Sequence, residues 1–481
     1  MNPFSTASEM LAALDNRQVS ARELVELHRE RYLRFNEQLN ALVTPNFEQA
    51  AQAAAEADAR RDRGVQGPLL GLPLTIKDAI NVAGLPTTGG TLDPAQATAA
   101  EDALVVQRLK AAGGIILGKS NTPVGNGDWQ SNNPVFGRSR NPWNLERTPG
   151  GSTGGGAAAV AAGLSPLEFG SDIGGSIRIP AAFCGLYGHK PSATLVPRSG
   201  HFPSLNTPNP GQLMGVQGPL ARSAADLRLA MAIIRGPEAL ESKGWQLQLP
   251  PPRHDRLSDY RVGVLQLPEW CAVDEEILFA REQLIRQLES AGATVKPVSA
   301  TTFGDFRRYY ENYLVLLQCI VGGGLAKEQR QRAAEKLRAK GDRFMDAVAG
   351  GLLASAGKLM KLLEVAEGYK AHWETVFTEV DVLLAPANMV NAFTHDDAYL
   401  YDRELMVNGQ PQPYAQQSFL PALATLAGLP ATAVPVAQSR EGLPIGLQVI
   451  GAYLEDETTI QFAELVEQAF GGFKAPSAYS A

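Results

Sequence analysis

The amino-acid sequence predicts an α/β protein built on a buried parallel or mixed sheet, and two patterns predict it. Short apolar runs, such as 72–76 and 114–117, lie between glycine-rich turns and helical stretches. Strands covered on both faces read this way. Such runs stand both before and after a long helical stretch at 303–378 that carries no strand signal. One sheet drawing on both halves is therefore expected, rather than two separate domains. The 481 residues are 44% hydrophobic and only 19% charged, so a sizeable core is within reach and disorder is not expected.

The elements follow in order. Residues 5–61 read as mostly helical. Ser20 with Glu23 forms a capping-box pattern, and Leu24, Leu27 and Tyr32 continue it as an apolar face. Residues 50–61 make an alanine-rich second helix. Most glycine-rich turns fall within 67–240, with a helix at 103–112. A strand at 260–265 precedes an amphipathic helix at 274–291. The helical stretch 303–378 reads as an insertion that covers a site. Strands at 382–386, 431–436 and 445–450 and a closing helix at 456–470 complete the pattern. No repeat of 20–50 residues is present. The expected organisation is a single domain over 1–481: N-terminal helices at 1–65, a core at 66–240, an insertion at about 300–378, and a sheet completed by 380–481.

Composition excludes several classes. Net charge is −7 with no basic stripe, so nucleic acid is a poor partner. Cys184, Cys271 and Cys319 form neither a disulfide framework nor a CxxC pair. The first ten residues lack the basic and apolar regions of a signal peptide, and no uninterrupted apolar run is long enough to span a membrane. A soluble cytoplasmic protein is the expectation.

Three glycine-rich features compete for the chemistry. Gly113 to Ser120 matches the phosphate-loop pattern GxxxxGK[ST] letter for letter. A phosphate loop must follow a strand and open a helix. Here a helix comes first, and Ile115, Ile116 and Leu117 read as the strand itself. Gly150 to Gly154 matches GxSxG around Ser152, the elbow of α/β-hydrolases. That elbow needs a strand just before the serine, and polar 141–149 with its two prolines is no central strand. It also needs a histidine, and none stands in a recognisable setting. The third feature is longer: a loop carrying Ser152, an alanine-rich helix at 157–163, and a loop 170–180 carrying Ser176. Glycines there let a substrate approach the main chain. Four consecutive N–H groups, of Ile173, Gly174, Gly175 and Ser176, suit a nest for an oxyanion.

Taken together these segments resemble the amidase signature family. Gly71 to Asp78 is similar to the family's lysine segment, and Asn133 to Gly137 with Asn141 to Trp143 to its approach to the first serine loop. Cys184 to Pro191, Gly218 to Ser223 and Gly442 to Gln448 are also similar. The resemblance covers about 20–235 and 418–470 and fades over 240–410. It implies a central twisted mixed sheet flanked by helices on both faces. It implies Ser176 as nucleophile, Ser152 as relay after a cis peptide bond from Gly151, and Lys77 as base, with Thr153, Asp172 and Arg178 in support. Asn126, Gly127 and Trp129 fall where the family contacts substrate. Trp129 either lines the pocket or packs in the core, and the sequence leaves both open. Thr153 and Ser171 depart from the usual residues but keep a hydroxyl.

Elementary chemistry makes these roles reasonable. A serine hydroxyl needs a base, and lysine serves only when neutral. Its ordinary pKa of about 10.4 must fall to roughly 7–8, which burial among apolar neighbours supplies. Leu72, Leu74 and Ile76 precede Lys77 and fit such a dry site. Without the resemblance, an ion pair between Lys77 and Asp78 would be the simpler reading. The expected activity is hydrolysis of a small-molecule amide, aryl or linear, extending to carbamates or esters, with neither nucleic acid nor membrane as partner. A homodimer is compatible with this reading, and the oligomeric state stays open. The alternatives are a transamidase-type glutamine amidotransferase component and a hydrolase using Ser152 with a histidine.

Overall fold

The computed structural model describes residues 1–202, 213–299 and 304–480. Eleven of its strands form one mixed sheet. Six come from the first half of the chain: β1 (Leu42–Pro45), β2 (Pro73–Lys77), β3 (Ile115–Ser120), β6 (Leu167–Asp172), β7 (Tyr187–Lys190) and β8 (Val216–Ala221). The rest are β9 (Arg261–Leu265), β10 (Thr294–Val298), β11 (Val382–Pro386), β14 (Ala431–Gln438) and β15 (Pro444–Ile450). Their order across the 11-stranded sheet is β1-β3-β2-β6-β8-β7-β14-β15-β11-β9-β10. Two small ribbons stand apart: β4 (Asn132–Asn133) with β5 (Gly137–Arg138), and β12 (Glu404–Val407) with β13 (Gln410–Pro413).

The first helices are α1 (Ala7–Asp15), α2 (Ala21–Leu39), α3 (Phe47–Asp62), α4 (Leu104–Ala111), α5 (Gly154–Ala161), α6 (Arg178–Cys184), α7 (Ala224–Ile234) and α8 (Glu275–Ser290). The capping box at Ser20 and Glu23 is present at the start of α2. Helices Phe306–Val321, Lys327–Arg338, Arg343–Leu352 and Ala356–Glu379 occupy the long strand-free stretch, whose first residues, 300–303, lie outside the described ones. Asp456–Phe470 is the closing helix.

Strands β1, β6, β7, β8 and β10 were not individually evident in the sequence. The difference at β6 matters most. The glycine-rich stretch from Gly170 reads as a loop, yet Gly170, Ser171 and Asp172 finish a strand, and the turn begins only at Ile173. A side chain at Gly170 would lie 2.4 Å from Thr153 Cγ2, so glycine there reflects close packing rather than a bend. The same reason extends α5 back to Gly154. A Cβ on Gly155 would lie 2.4 Å from the Asn121 nitrogen, and one on Gly156 would lie 2.3 Å from Glu168 Cδ. The small-residue helix thus presses against the sheet over β2, β3 and β6.

Register sets what meets beneath it. β2 runs parallel to both neighbours, with Lys77 opposite Ser120 of β3 and Thr75 opposite Glu168 of β6. All four are buried.

Candidate active site

Lys77 ends β2 and is wholly buried. Its Nζ donates to Ser152 Oγ at 2.7 Å and to Ser171 Oγ at 3.1 Å. Asp78 is not its partner. The Asp78 carboxylate faces Lys119 Nζ at 3.5 Å and takes the Thr88 N–H and hydroxyl. Burial pulls the Lys77 ammonium down to about 7, against the opposing pull of Asp172 and Glu168.

Ser152 follows a cis peptide bond from Gly151. A side chain at Gly151 would strike the Asp128 carbonyl at 2.5 Å, so glycine is required for this loop to close on its neighbour. The Thr122 hydroxyl lies 3.0 Å from the Ser152 carbonyl and 2.6 Å from Asn126 Oδ1. The two serine loops are joined directly, because the Thr153 N–H donates to the Ser176 carbonyl at 3.1 Å. Exposure rises from Lys77 at 0% through Ser152 at 1% to Ser176 at 6%, a graded path toward solvent. No hydrogen bond joins the two serine hydroxyls, and that of Ser176 has no partner among the described residues.

The Ser176 loop hangs on Asp172. Its Oδ1 accepts the Gly175 N–H at 2.9 Å, and its Oδ2 accepts the Ile177 N–H at 3.0 Å. Arg178 grips the same carboxylate through Nε at 3.1 Å and Nη2 at 2.9 Å. Burial pushes the Asp172 carboxyl up, but the guanidinium and the two N–H groups outweigh it and hold it at about 2. Arg178 also reaches Gln448 Oε1 at 2.8 Å and Thr425 Oγ1 at 2.9 Å, which ties the loop to β15 and to helix Phe419–Thr425.

The four-donor nest expected from the sequence narrows here. Because Gly175 gives its N–H to Asp172, the N–H groups of Ile173, Gly174 and Ser176 remain without acceptors among the described residues. The matching carbonyls are tied back from the outside. Trp129 Nε1 donates to the Gly174 carbonyl at 2.8 Å, and the Tyr313 hydroxyl to the Ile173 carbonyl at 3.2 Å. Trp129 packs against the core and against Tyr414, and it also fastens the loop. Half-buried Asn126, at φ 60°, and exposed Gly127 lie in the turn that precedes it. Tyr414 and Arg403 in turn hold Asp128, at 2.7 and 2.6 Å. Tyr313, Tyr414 and Arg403 carried no local signal that would have singled them out, and Gln448 ends the family-like segment from Gly442 without a role having been read for it.

The rival motifs come apart on the same geometry. Lys119 lies within strand β3, buried, with Nζ donating to the Pro86 carbonyl and Thr87 Oγ1 at 3.0 and 2.9 Å. It opens no helix and faces no phosphate cradle. No strand leads directly into Ser152, and no described histidine bonds to either serine. His189, for example, is held between Thr432 and Asp456.

The Amidase family model matches residues 23–460. The chain belongs to the amidase family. A glutamyl-tRNA(Gln) amidotransferase component from Synechococcus sp. (strain CC9605) is 33% identical over 96% of this chain and 96% of its own length. Indoleacetamide hydrolase of Bradyrhizobium diazoefficiens is 30% identical over 97% of this chain and 86% of its own. Among solved structures, a bacterial aryl acylamidase of the amidase signature family superposes at a TM-score of 0.80, with 25% identity, over 99% of this chain and 98% of that one. The mixed sheet flanked by helices is the fold of this amidase family, and the chain is an amidase-family enzyme. No helix among the described residues is long and apolar enough to cross a membrane.

Proposed function

We propose that this chain hydrolyses small-molecule amides through an acyl-enzyme on Ser176, with Ser152 as proton relay and Lys77 as base. One observation carries the reading. A wholly buried lysine, with no described carboxylate in hydrogen-bond contact, donates to the Ser152 hydroxyl at 2.7 Å. Such a lysine loses its proton near neutrality and then accepts one instead. Neutral Lys77 takes the Ser152 proton as Ser152 takes that of Ser176, and Ser176 attacks the acyl carbon. The Ile173, Gly174 and Ser176 N–H groups face the developing oxyanion. Ser152 then returns the proton to the departing nitrogen, because an amine leaves poorly without it, and water releases the acyl group.

Aryl and linear amides are the substrates this reading favours, with carbamates and esters open to the same tetrahedral chemistry. The chain is read as a cytoplasmic enzyme that works without metal or cofactor. The 33% identity to an amidotransferase component favours a second reading, in which glutamine is the amide cleaved and ammonia passes to a partner protein. A hydrolysis screen of the chain alone over anilides, primary amides, carbamates and nitrophenyl esters tests the proposal. Turnover of an amide, together with fluorophosphonate labelling that maps to Ser176, is expected. Ser176→Ala should lower turnover by about 10⁶-fold. Label on Ser152, or unchanged turnover in Ser176→Ala, would sink it. Glutamine as the only amide cleaved would favour the second reading.

A further inference from the structure

One buried titratable group near Lys77 has no place in the scheme above. Glu168 is the second residue of β6 and completely inaccessible. Alternate residues of a strand share a face. Thr75 pairs with Glu168, Lys77 stands two residues beyond Thr75, and Ser120 pairs with Lys77. The four side chains therefore lie on one face of three adjacent strands, and α5 closes over them. A Cβ on Gly156 would touch Glu168 Cδ at 2.3 Å and Oε1 at 2.4 Å, so α5 rests directly on the carboxyl. Glu168 Oε1 takes the Ser120 hydroxyl at 2.6 Å. Its Oε2 has no hydrogen-bond partner among the described residues. A buried glutamate with an empty oxygen is costly and calls for an explanation.

We infer that Glu168 is a positioning residue for the base: its carboxyl sets the pH at which Lys77 gives up its proton. The inference rests on the reading of Lys77 as base. The other charges around Lys77 are already committed. Asp172 is paired with Arg178. Lys119, one residue before Ser120, points to the other face and pairs with Asp78. His201 also feels the Lys77 charge, and burial, with Arg198 and Lys77, keeps it neutral. Neither α5 (GGGAAAVA) nor β8 (VQGPLA) carries a titratable side chain. Glu168 is thus the carboxyl left to balance an ammonium in this dry layer.

Burial pushes Glu168 up to about 7, against the opposing pull of the Ser120 hydroxyl and the two lysines. Lys77 is drawn down to about 7. The two groups titrate over one range and behave as a pair. An ionised Glu168 supports the ammonium, and a neutral one leaves Lys77 with less to oppose desolvation.

The test is the pH dependence of the rate at which a fluorophosphonate labels Ser176. This readout needs no knowledge of the substrate. Glu168→Gln removes the charge and keeps an oxygen for Ser120. Its acid limb should move down by about one pH unit, because an opposite charge has been withdrawn from Lys77. Ser120→Ala weakens the ionised form of Glu168, so its limb should move the same way by less. An unmoved limb in both variants, or a shift to higher pH, overturns the inference. If Glu168→Gln does not fold, the Ser120→Ala profile decides alone. A wild-type profile without an acid limb, or label elsewhere than Ser176, would instead sink the reading of Lys77 as base.

Discussion

Lys77→Met should abolish amide turnover and yet make the folded protein more stable at neutral pH. The magnitude follows from burial. Lowering the Lys77 pKa from 10.5 to about 7 corresponds to a folding cost of about 5 kcal/mol. Methionine has similar bulk and no charge to desolvate. Against this gain stand the hydrogen bonds to Ser152 and Ser171, worth about 1 kcal/mol each and up to about 3 kcal/mol where a buried hydroxyl is left unpaired. A net stabilisation of about 1–3 kcal/mol at pH 7 is expected. The sign reverses with pH. Between about 7 and 10.5 the unfolded lysine holds a proton that the folded one has lost, so wild-type stability rises with pH through that window. The variant lacks this slope, and above the window it becomes the less stable of the two. Urea unfolding of both proteins at several pH values between about 6 and 10.5 measures the difference directly. A variant less stable than wild type at pH 7, or a difference that does not shrink as pH rises, would refute a depressed Lys77 and the argument built on it.

Other outcomes are equally specific. Asp172→Asn strands the buried Arg178 cation and should cost about 3–5 kcal/mol, seen as a lower unfolding midpoint, with a fall in Ser176 labelling rate as the loop loosens. Tyr313→Phe removes only the hydroxyl on the Ile173 carbonyl. It should lower kcat by about tenfold, the worth of one hydrogen bond of about 1.4 kcal/mol, while leaving the unfolding midpoint nearly unchanged. An unaltered kcat would mean that Ile173 needs no such tether.

The reach of the sequence differs from residue to residue. Ser152, Ser176 and Lys77 stood out because each lies in a short segment that resembles a family motif, and local glycines and apolar neighbours made the implied roles physically reasonable. Strands β11, β14 and β15 stood out because short, mostly apolar runs mark buried strands. β6 was hidden, since a strand containing Glu168, Gly170 and Asp172 does not look apolar. Its polar residues are offset by partners on other elements, which a local pattern does not display. The phosphate-loop match at Gly113 to Ser120 was already set aside from the order of elements, and the structure places its lysine in the strand itself.

What the sequence settled alone was the class of fold and the family, and it pointed to the segments that carry Lys77, Ser152 and Ser176. The fold class follows from apolar patterning and glycine placement, and the family and the three segments from motifs that resemble the amidase signature, all local in the chain. Partnership was settled only by folding. Asp78 goes to Lys119, which leaves Lys77 free for Ser152. Gly175 gives its N–H to Asp172, which leaves those of Ile173, Gly174 and Ser176 without acceptors among the described residues. Tyr313 arrives from 140 residues away to hold Ile173, and Gln448 from 270 away to hold Arg178. The physical reason is the same in each case. A hydrogen bond or charge pair depends on distances of a few ångströms, and strand register and helix packing set those distances between residues far apart in sequence.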